Sequence, residues 1–417
     1  MPTDTDTDTG FDVAFARRCF PALSPEWALF DNAGGSVTAQ PVVDRVTEYM
    51  STLQVQLGAS YALSQRASAL VADGHAAAAT WLGAEVDEVV LGPSTTVNLR
   101  RLARALAANW RPGDEVVVTD LDHEANVGAW LALERHGIAV KRWTFDRATG
   151  RLDPAALAPL LGPRTRLVAF THCSNVIGAI EDVPAIVELA HAAGALVCVD
   201  GVAYAPHRFV DVKRLDVDFY AYSTYKVFGP HLAALYGKRE HLQAAGNENH
   251  FFVGAEEVPR KLEPGGVSHE LAAALPGTWD YMEKLADHHG LGHLPSSRRR
   301  LEAVFDRICR HEEDLVGPLL EFLRGREGVR ILGPEPADAS VRVPIVGFVV
   351  DGHRSSTVTP KLDAHGVAVR FGDFYAPRAV ARLGLTANDG IVRVSMAHYN
   401  SADEVDRLIG ALDQTMP

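Results

Sequence analysis

The chain has 417 residues, 47% hydrophobic and 22% charged, the proportions of a folded globular protein long enough for two domains. A formal net charge of -13 excludes a surface built to hold a nucleic-acid backbone, which demands a basic face. No charged-then-apolar leader and no bilayer-length apolar run is present, and Cys19, Cys173, Cys198 and Cys309 lack disulfide or zinc spacing, so a cytoplasmic protein with no membrane partner is expected.

In chain order, the Thr-Asp alternation ending at Gly10 predicts a disordered acidic tail over residues 1–10. From about Val89 to Tyr236, strand-like and helix-like segments alternate. Glu115–Thr119 reads as a strand, Ala125–His136 as a helix, and Ala139–Thr144 and Arg166–Thr171 as strands. Val183–Ala193 follows as a helix, Ala195–Val199 as a buried strand, and Val217–Tyr222 as another apolar run. Short apolar runs joined by amphipathic helices predict a mostly parallel sheet covered on both faces, an α/β fold. Further on, helical patterns cover Trp279–His288, Arg298–Glu313 and Glu312–Leu323. Val346–Val350 and Ile391–Ser395 look like strands, and Ala402–Leu412 like a closing helix. The expected division is a segment 11–45 that reaches the site, a large domain 46–285 and a small α+β domain 286–417.

Polar residues cluster just after the strands: Asp120–His123, Thr171–Asn175, Asp200 and Ser223–Lys226. Ligands of open α/β sheets bind at the carboxyl ends of strands, so these loops are expected to converge. Lys226 stands in Ser223-Thr-Tyr-Lys226-Val-Phe-Gly-Pro-His231, where desolvation would strip its proton and let it form an imine with an aldehyde. Pyridoxal phosphate (PLP) needs such a lysine and a carboxylate to keep its ring nitrogen protonated. Asp200 is the candidate. A solvated lysine and an Asp-Gly turn are the plain alternatives, but the ordered pair points to the cofactor.

Other residue types fit the same chemistry. Ser94, Thr95 and Thr96 precede a helix pattern (Leu99–Ala108), and a helix start capped by hydroxyls attracts a phosphate, unless it is a cap and no more. His123 offers a ring to stack on a cofactor and a proton shuttle near neutral pH. Asn175 is placed to donate to a ring oxygen or to make an Asx-turn. Arg393, a charge inside an apolar run, suits bidentate capture of a substrate carboxylate, as does Arg370; an ion pair with Asp or Glu is the other reading of both.

This ordered set resembles the class V aminotransferase fold, and most closely the cysteine desulfurase-like proteins, from Leu29-Phe-Asp-Asn-Ala-Gly-Gly35 to Arg393–Asn400. Leu57–Ser64 and Phe228-Gly-Pro-His231 resemble the desulfurase-like branch of that family. The resemblance implies a type I PLP fold, a seven-stranded-type sheet with a smaller α+β domain, and a homodimer. It implies that Lys226 carries the cofactor, that Asp200 pairs with its ring nitrogen and that His123 stacks on its ring. Ser94, Thr95, Thr96 and Ser223 would hold the phosphate, and Asn175 would sit near the ring oxygen or substrate. Arg393 would clamp the carboxylate of an amino-acid substrate, and Asn32, Ala33 and Gly34 would approach that substrate. Four positions depart from the family pattern. Tyr375 stands at or near the desulfurase cysteine, Ala203 replaces a glutamine, Tyr225 replaces a histidine, and Gly266 replaces a threonine that reaches the partner's phosphate. The tyrosine at 375 argues against persulfide formation, and the resemblance implies a β-elimination, C–S-lyase-type or related side-chain reaction in its place. An epimerase or aminotransferase is the alternative, and a non-catalytic PLP-fold binding protein the second.

Overall fold

The computed structural model describes residues 10–416, so all of the expected tail except Gly10 lies outside the described residues. The larger sheet is 7-stranded: β1 Val89–Gly92, β2 Glu115–Thr119, β3 Ala139–Trp143, β4 Thr165–Thr171, β5 Leu196–Asp200, β6 Phe219–Ser223 and β7 Ala233–Gly237. The order across it is β1-β7-β6-β5-β4-β2-β3, and β7 alone runs against the common direction. Every residue of β1, β2, β6 and β7 is buried, because helices cover both faces of a mostly parallel sheet. The edge strand β3 carries Lys141 and Arg142, charges that blunt pairing with another chain.

Register decides where the chemistry collects. Thr171 pairs with Asp200, and Asp200 with Ala221, so β4 and β5 end flush and β6 runs two residues beyond them. The loops after β2, β4, β5 and β6 therefore open along one edge, as expected for parallel strands. The helix Thr95–Ala107, which follows β1, starts at the same edge. The pattern had predicted Leu99 as its start. The helix begins four residues earlier because Ser94 accepts a hydrogen bond from the Val97 N–H and caps it.

The second sheet is antiparallel, with β8 Val329–Leu332, β9 Ile345–Val350, β10 Arg370–Gly372 and β11 Ile391–Ser395 in the order β10-β11-β9-β8. Phe30, Leu319, Leu320, Phe348, Val394 and Leu408 share one apolar cluster on it. Ala28–Leu29 pairs in parallel with Val367–Ala368, and Asp31 bridges to Ser395, so the segment before residue 45 seats on this sheet. The two helices expected over Arg298–Glu313 and Glu312–Leu323 are one helix, Ser297–Arg324, running through Pro318. Where the two expected ranges meet, Glu312 is buried and takes hydrogen bonds from His207 and Arg208 at 2.7 Å. No helix among the described residues is long and apolar enough to cross a membrane.

Candidate active site

Ten of the residues singled out in the sequence line one cavity at the shared sheet edge: Ser94, Thr95, Thr96, His123, Asn175, Asp200, Ala203, Ser223, Tyr225 and Lys226. Thr171, Cys173, Val202 and Ala125 complete it. The space between them, counted with its open mouth, is about 470 Å³, within the size range of small-molecule sites.

Lys226 lies on a single 3-10 turn, Thr224–Lys226, directly after β6. Thr224 ties that turn down, its hydroxyl donating to the Pro230 and Leu232 carbonyls at 2.5 and 2.9 Å. Phe228, buried at φ 66°, and Ser36, whose hydroxyl accepts from the Phe228 N–H at 2.9 Å, fix the far side. Burial, and then the nearby Arg393 charge, lower the Lys226 amine to about 8, against the pull of Asp200. About a tenth is therefore unprotonated at pH 7, far more than for an ordinary lysine.

Asp200 ends β5, and its carboxylate accepts the Val202 N–H at 2.9 Å. Gly201 lets the chain turn there against Tyr220, where a Cβ would come within 2.1 Å of the ring. Burial raises Asp200 to about 6, and among the described residues no lysine, arginine or histidine forms an ion pair with it. A buried acid without a cation is costly unless a protonated group from outside the chain completes it.

His123 accepts the Ala125 N–H on Nδ1 at 3.0 Å, which leaves the proton of the neutral ring on Nε2. Burial, then the charges of Lys226 and Arg393, lower it to about 4, so the ring is neutral at physiological pH. Tyr375, 70% exposed, stands over it with ring centroids 5.5 Å apart. At the other end of the cavity the Thr95 and Ser223 hydroxyls lie 2.9 Å apart at the start of the Thr95–Ala107 helix. The first backbone N–H groups of that helix have no intrahelical acceptor. These residues fit PLP: an anion site at a helix N-terminus, an acid lacking a cation, and a neutralisable lysine between facing walls.

Seven expected residues lie off this cavity. Asn32 and Ala33 line a smaller one that shares Lys226, Val202 and Ala203 with it and is closed by His207. The Asn32 side chain donates to the Leu29 and Ser395 carbonyls and to Asn400, and Ala33 N–H donates to Ser395 Oγ, so both lock the segment to β11. Arg393 is 1% exposed: it donates to Asp31 at 2.7 Å and to the Asn175 carbonyl at 3.0 Å, under the Phe374 ring at 3.8 Å. Arg370 reaches the other oxygen of Asp31 at 3.3 Å. From the cavity wall, Asn175 donates to the Phe374 carbonyl at 2.9 Å. Gly34 packs beside Asp31, and Gly266 sits on an exposed turn at φ 78°. Sequence reasoning missed Asp31 and Glu124, whose N–H holds the Tyr375 carbonyl at 2.7 Å. Their partners are distant in the chain, so no local spacing signals them.

The Aminotransferase class-V family model matches residues 28–408. The chain is 39% identical over 418 residues to the aminotransferase-like protein FGM3 of Gibberella zeae, covering 98% of this chain and 100% of that one. It is 35% identical over 422 residues to the cysteine desulfurase-like protein ustD of Aspergillus flavus, covering 99% and 92%. Among solved structures, the cysteine desulfurase CsdA from Escherichia coli superposes with a TM-score of 0.82 at 28% identity, covering 97% of this chain and 98% of that one. A family model spanning most of the sequence and relatives matched end to end leave one assignment: the chain belongs to the class V aminotransferases, as a cysteine desulfurase-like enzyme that works with pyridoxal phosphate.

Proposed function

We propose that this enzyme expels a substituent from the β-carbon of an amino acid, a C–S-lyase-type elimination, and does not pass sulfur to a protein cysteine. The observation that carries this reading is the thiol inventory around the cavity. Position 375, which resemblance gives to a nucleophilic cysteine, is a tyrosine over His123. Cys173 is the cysteine that lines the cavity, and it is fully buried, its sulfur turned to the Gly178 carbonyl at 3.4 Å, with burial pushing the thiol far above its usual range. A thiol so held supplies no thiolate.

PLP bound here would supply the electron sink for the pair left when the Cα–H bond breaks. The Thr95–Thr96 helix start and the Thr95 and Ser223 hydroxyls would hold its phosphate, Asp200 would hold the proton on its ring nitrogen, and His123 would cover its ring. Lys226, freed as an amine and lowered to about 8, is the base that takes the Cα proton. The Cβ–substituent bond then breaks, its electrons leaving with the substituent, and a Cα=Cβ bond forms. His123 Nε2–H remains as a donor beside the leaving group, and Arg393 is the anchor for the α-carboxylate. A homodimer belongs to the same proposal and is supported by Phe251 and Phe252, 96% and 63% exposed. A cytoplasmic location is supported by four free cysteines.

The test gives the PLP-loaded protein a panel of amino acids with β-leaving groups. Expected are equal amounts of ammonia, released substituent and a keto acid lacking that substituent. A keto acid with the side chain intact would replace the reading with transamination. Solvent deuterium at Cα without keto acid would replace it with epimerisation, and a persulfide on the protein with desulfuration.

A further inference from the structure

Arg370 and Arg393 face each other across β10 and β11 as a directly opposed pair, an arrangement that like charges disfavour. Asp31 resolves it by giving one carboxylate oxygen to each, at 2.7 Å from Arg393 and 3.3 Å from Arg370. One acid against two guanidinium groups leaves a net positive charge.

The three partners differ in freedom. Arg393 is 1% exposed, held by the Asn175 carbonyl and the Phe374 ring, and its Nε is sealed without a hydrogen-bond partner. It cannot travel to a ligand. The backbone around Asp31 is equally fixed: Phe30 N–H donates to the Ala368 carbonyl at 2.9 Å, and Ser395 N–H to the Phe30 carbonyl at 2.7 Å. The Asp31 side chain, by contrast, is 27% exposed and can turn into water. Gly34 keeps room for that rotation, since a Cβ there would lie 3.2 Å from both carboxylate oxygens.

We propose that Asp31 is an internal stand-in for the substrate's α-carboxylate, seated on the arginine pair until substrate displaces it, and so a residue that sets substrate affinity. This rests on the reading of Arg393 as the carboxylate anchor. An internal group of the same chemistry on the same donors reduces apparent affinity by the fraction of time it occupies them. Rotating the Asp31 carboxylate into solvent rehydrates it, so the exchange trades one carboxylate for another on a fixed guanidinium.

Propionate, which has neither amine nor leaving group, is the probe, so binding is read apart from whichever reaction follows. Calorimetric titration of the PLP-loaded protein should show propionate bound at least about tenfold more tightly by Asp31→Asn than by the unaltered chain. Equal or weaker binding by a variant with an unchanged melting curve overturns the proposal. A crystal structure of the unaltered protein with propionate tests it without any substitution. Propionate on Arg393 with Asp31 turned away supports it. Propionate on Arg393 with Asp31 still in place overturns the stand-in role alone, and propionate bound elsewhere overturns the anchor reading as well.

Discussion

Two buried aspartates on neighbouring strands show how the two edges of the large sheet differ. Asp218 precedes β6 at one edge, while Asp200 ends β5 at the other. Both carboxylates are withdrawn from water, which by itself raises an acid's pKa. At Asp218 burial is overturned by hydrogen bonds from His241, His191 and Lys238, with the Val197 N–H donating at 2.7 Å, and the acid is held far below its usual range. At Asp200 the Val202 N–H donates at 2.9 Å and the Lys226 charge adds a weaker pull, but no ion pair forms among the described residues, and burial wins, raising it to about 6. The first acid is finished by the fold. The second is left for a ligand to finish, and unfinished electrostatics at a sheet's carboxyl edge marks a site.

Three substitutions would break or sharpen that contrast. The largest effect belongs to Lys226→Ala, which should lower turnover by at least about 10³-fold and remove the pyridoxyl label left on this peptide by borohydride, with the fold intact. In the unaltered apoprotein, labelling of Lys226 by added PLP should rise with pH around a midpoint near 8, following its lowered pKa. A midpoint near that of a surface lysine would contradict the assignment.

Next, Asp200→Asn should slow turnover about 10²-fold, the equivalent of losing a charge-assisted hydrogen bond of about 3 kcal/mol. Its effect on the cofactor-free fold should have the opposite sign. An acid whose folded pKa is raised costs stability as pH climbs from about 4 through about 6, so at neutral pH the asparagine variant should melt higher than the parent. Asp218→Ala should instead destabilise by about 3 kcal/mol in denaturant titrations, because the Val197 N–H, His191, His241 and Lys238 all lose the carboxylate they share. An acid with a depressed pKa stabilises above its unfolded value, so the gap between parent and Asp218→Ala should close as pH falls below about 4. Turnover per folded molecule should change least of all here.

Most of the sheet was legible because its strands are continuous apolar runs punctuated by polar loops, and Ile391–Ser395 lies where the pattern put it. The cavity was legible for the same reason: Asp200 ends a strand, Lys226, His123 and Ser94–Thr96 each follow one, and the parallel register brings them together. The helix Ala62–Leu82 gave no clear stripe, since its buried face is built of Ser64, Ala67, Gly74 and Ala78, small residues that fit close helix contact without strong hydrophobicity. The Ala125–His136 helix tightens to a 3-10 turn after Leu131, ending at Gly137. Asp31 was invisible as an arginine partner because its pairing spans 362 residues of chain, and periodicity reads only neighbours. The same holds for Glu312, whose burial depends on His207 and Arg208 from the other side of the molecule.

The seating of residues 28–32 on the last strand has a consequence for synthesis. Phe30, Asp31 and Asn32 find their partners in Arg393, Ser395 and Asn400, nearly the whole chain later. During translation those bonds can close only after Arg393, Ser395 and Asn400 have emerged from the ribosome. A nascent chain that stops before that point lacks the Asp31–Arg393 ion pair and the Asn32–Asn400 hydrogen bond that seat this segment.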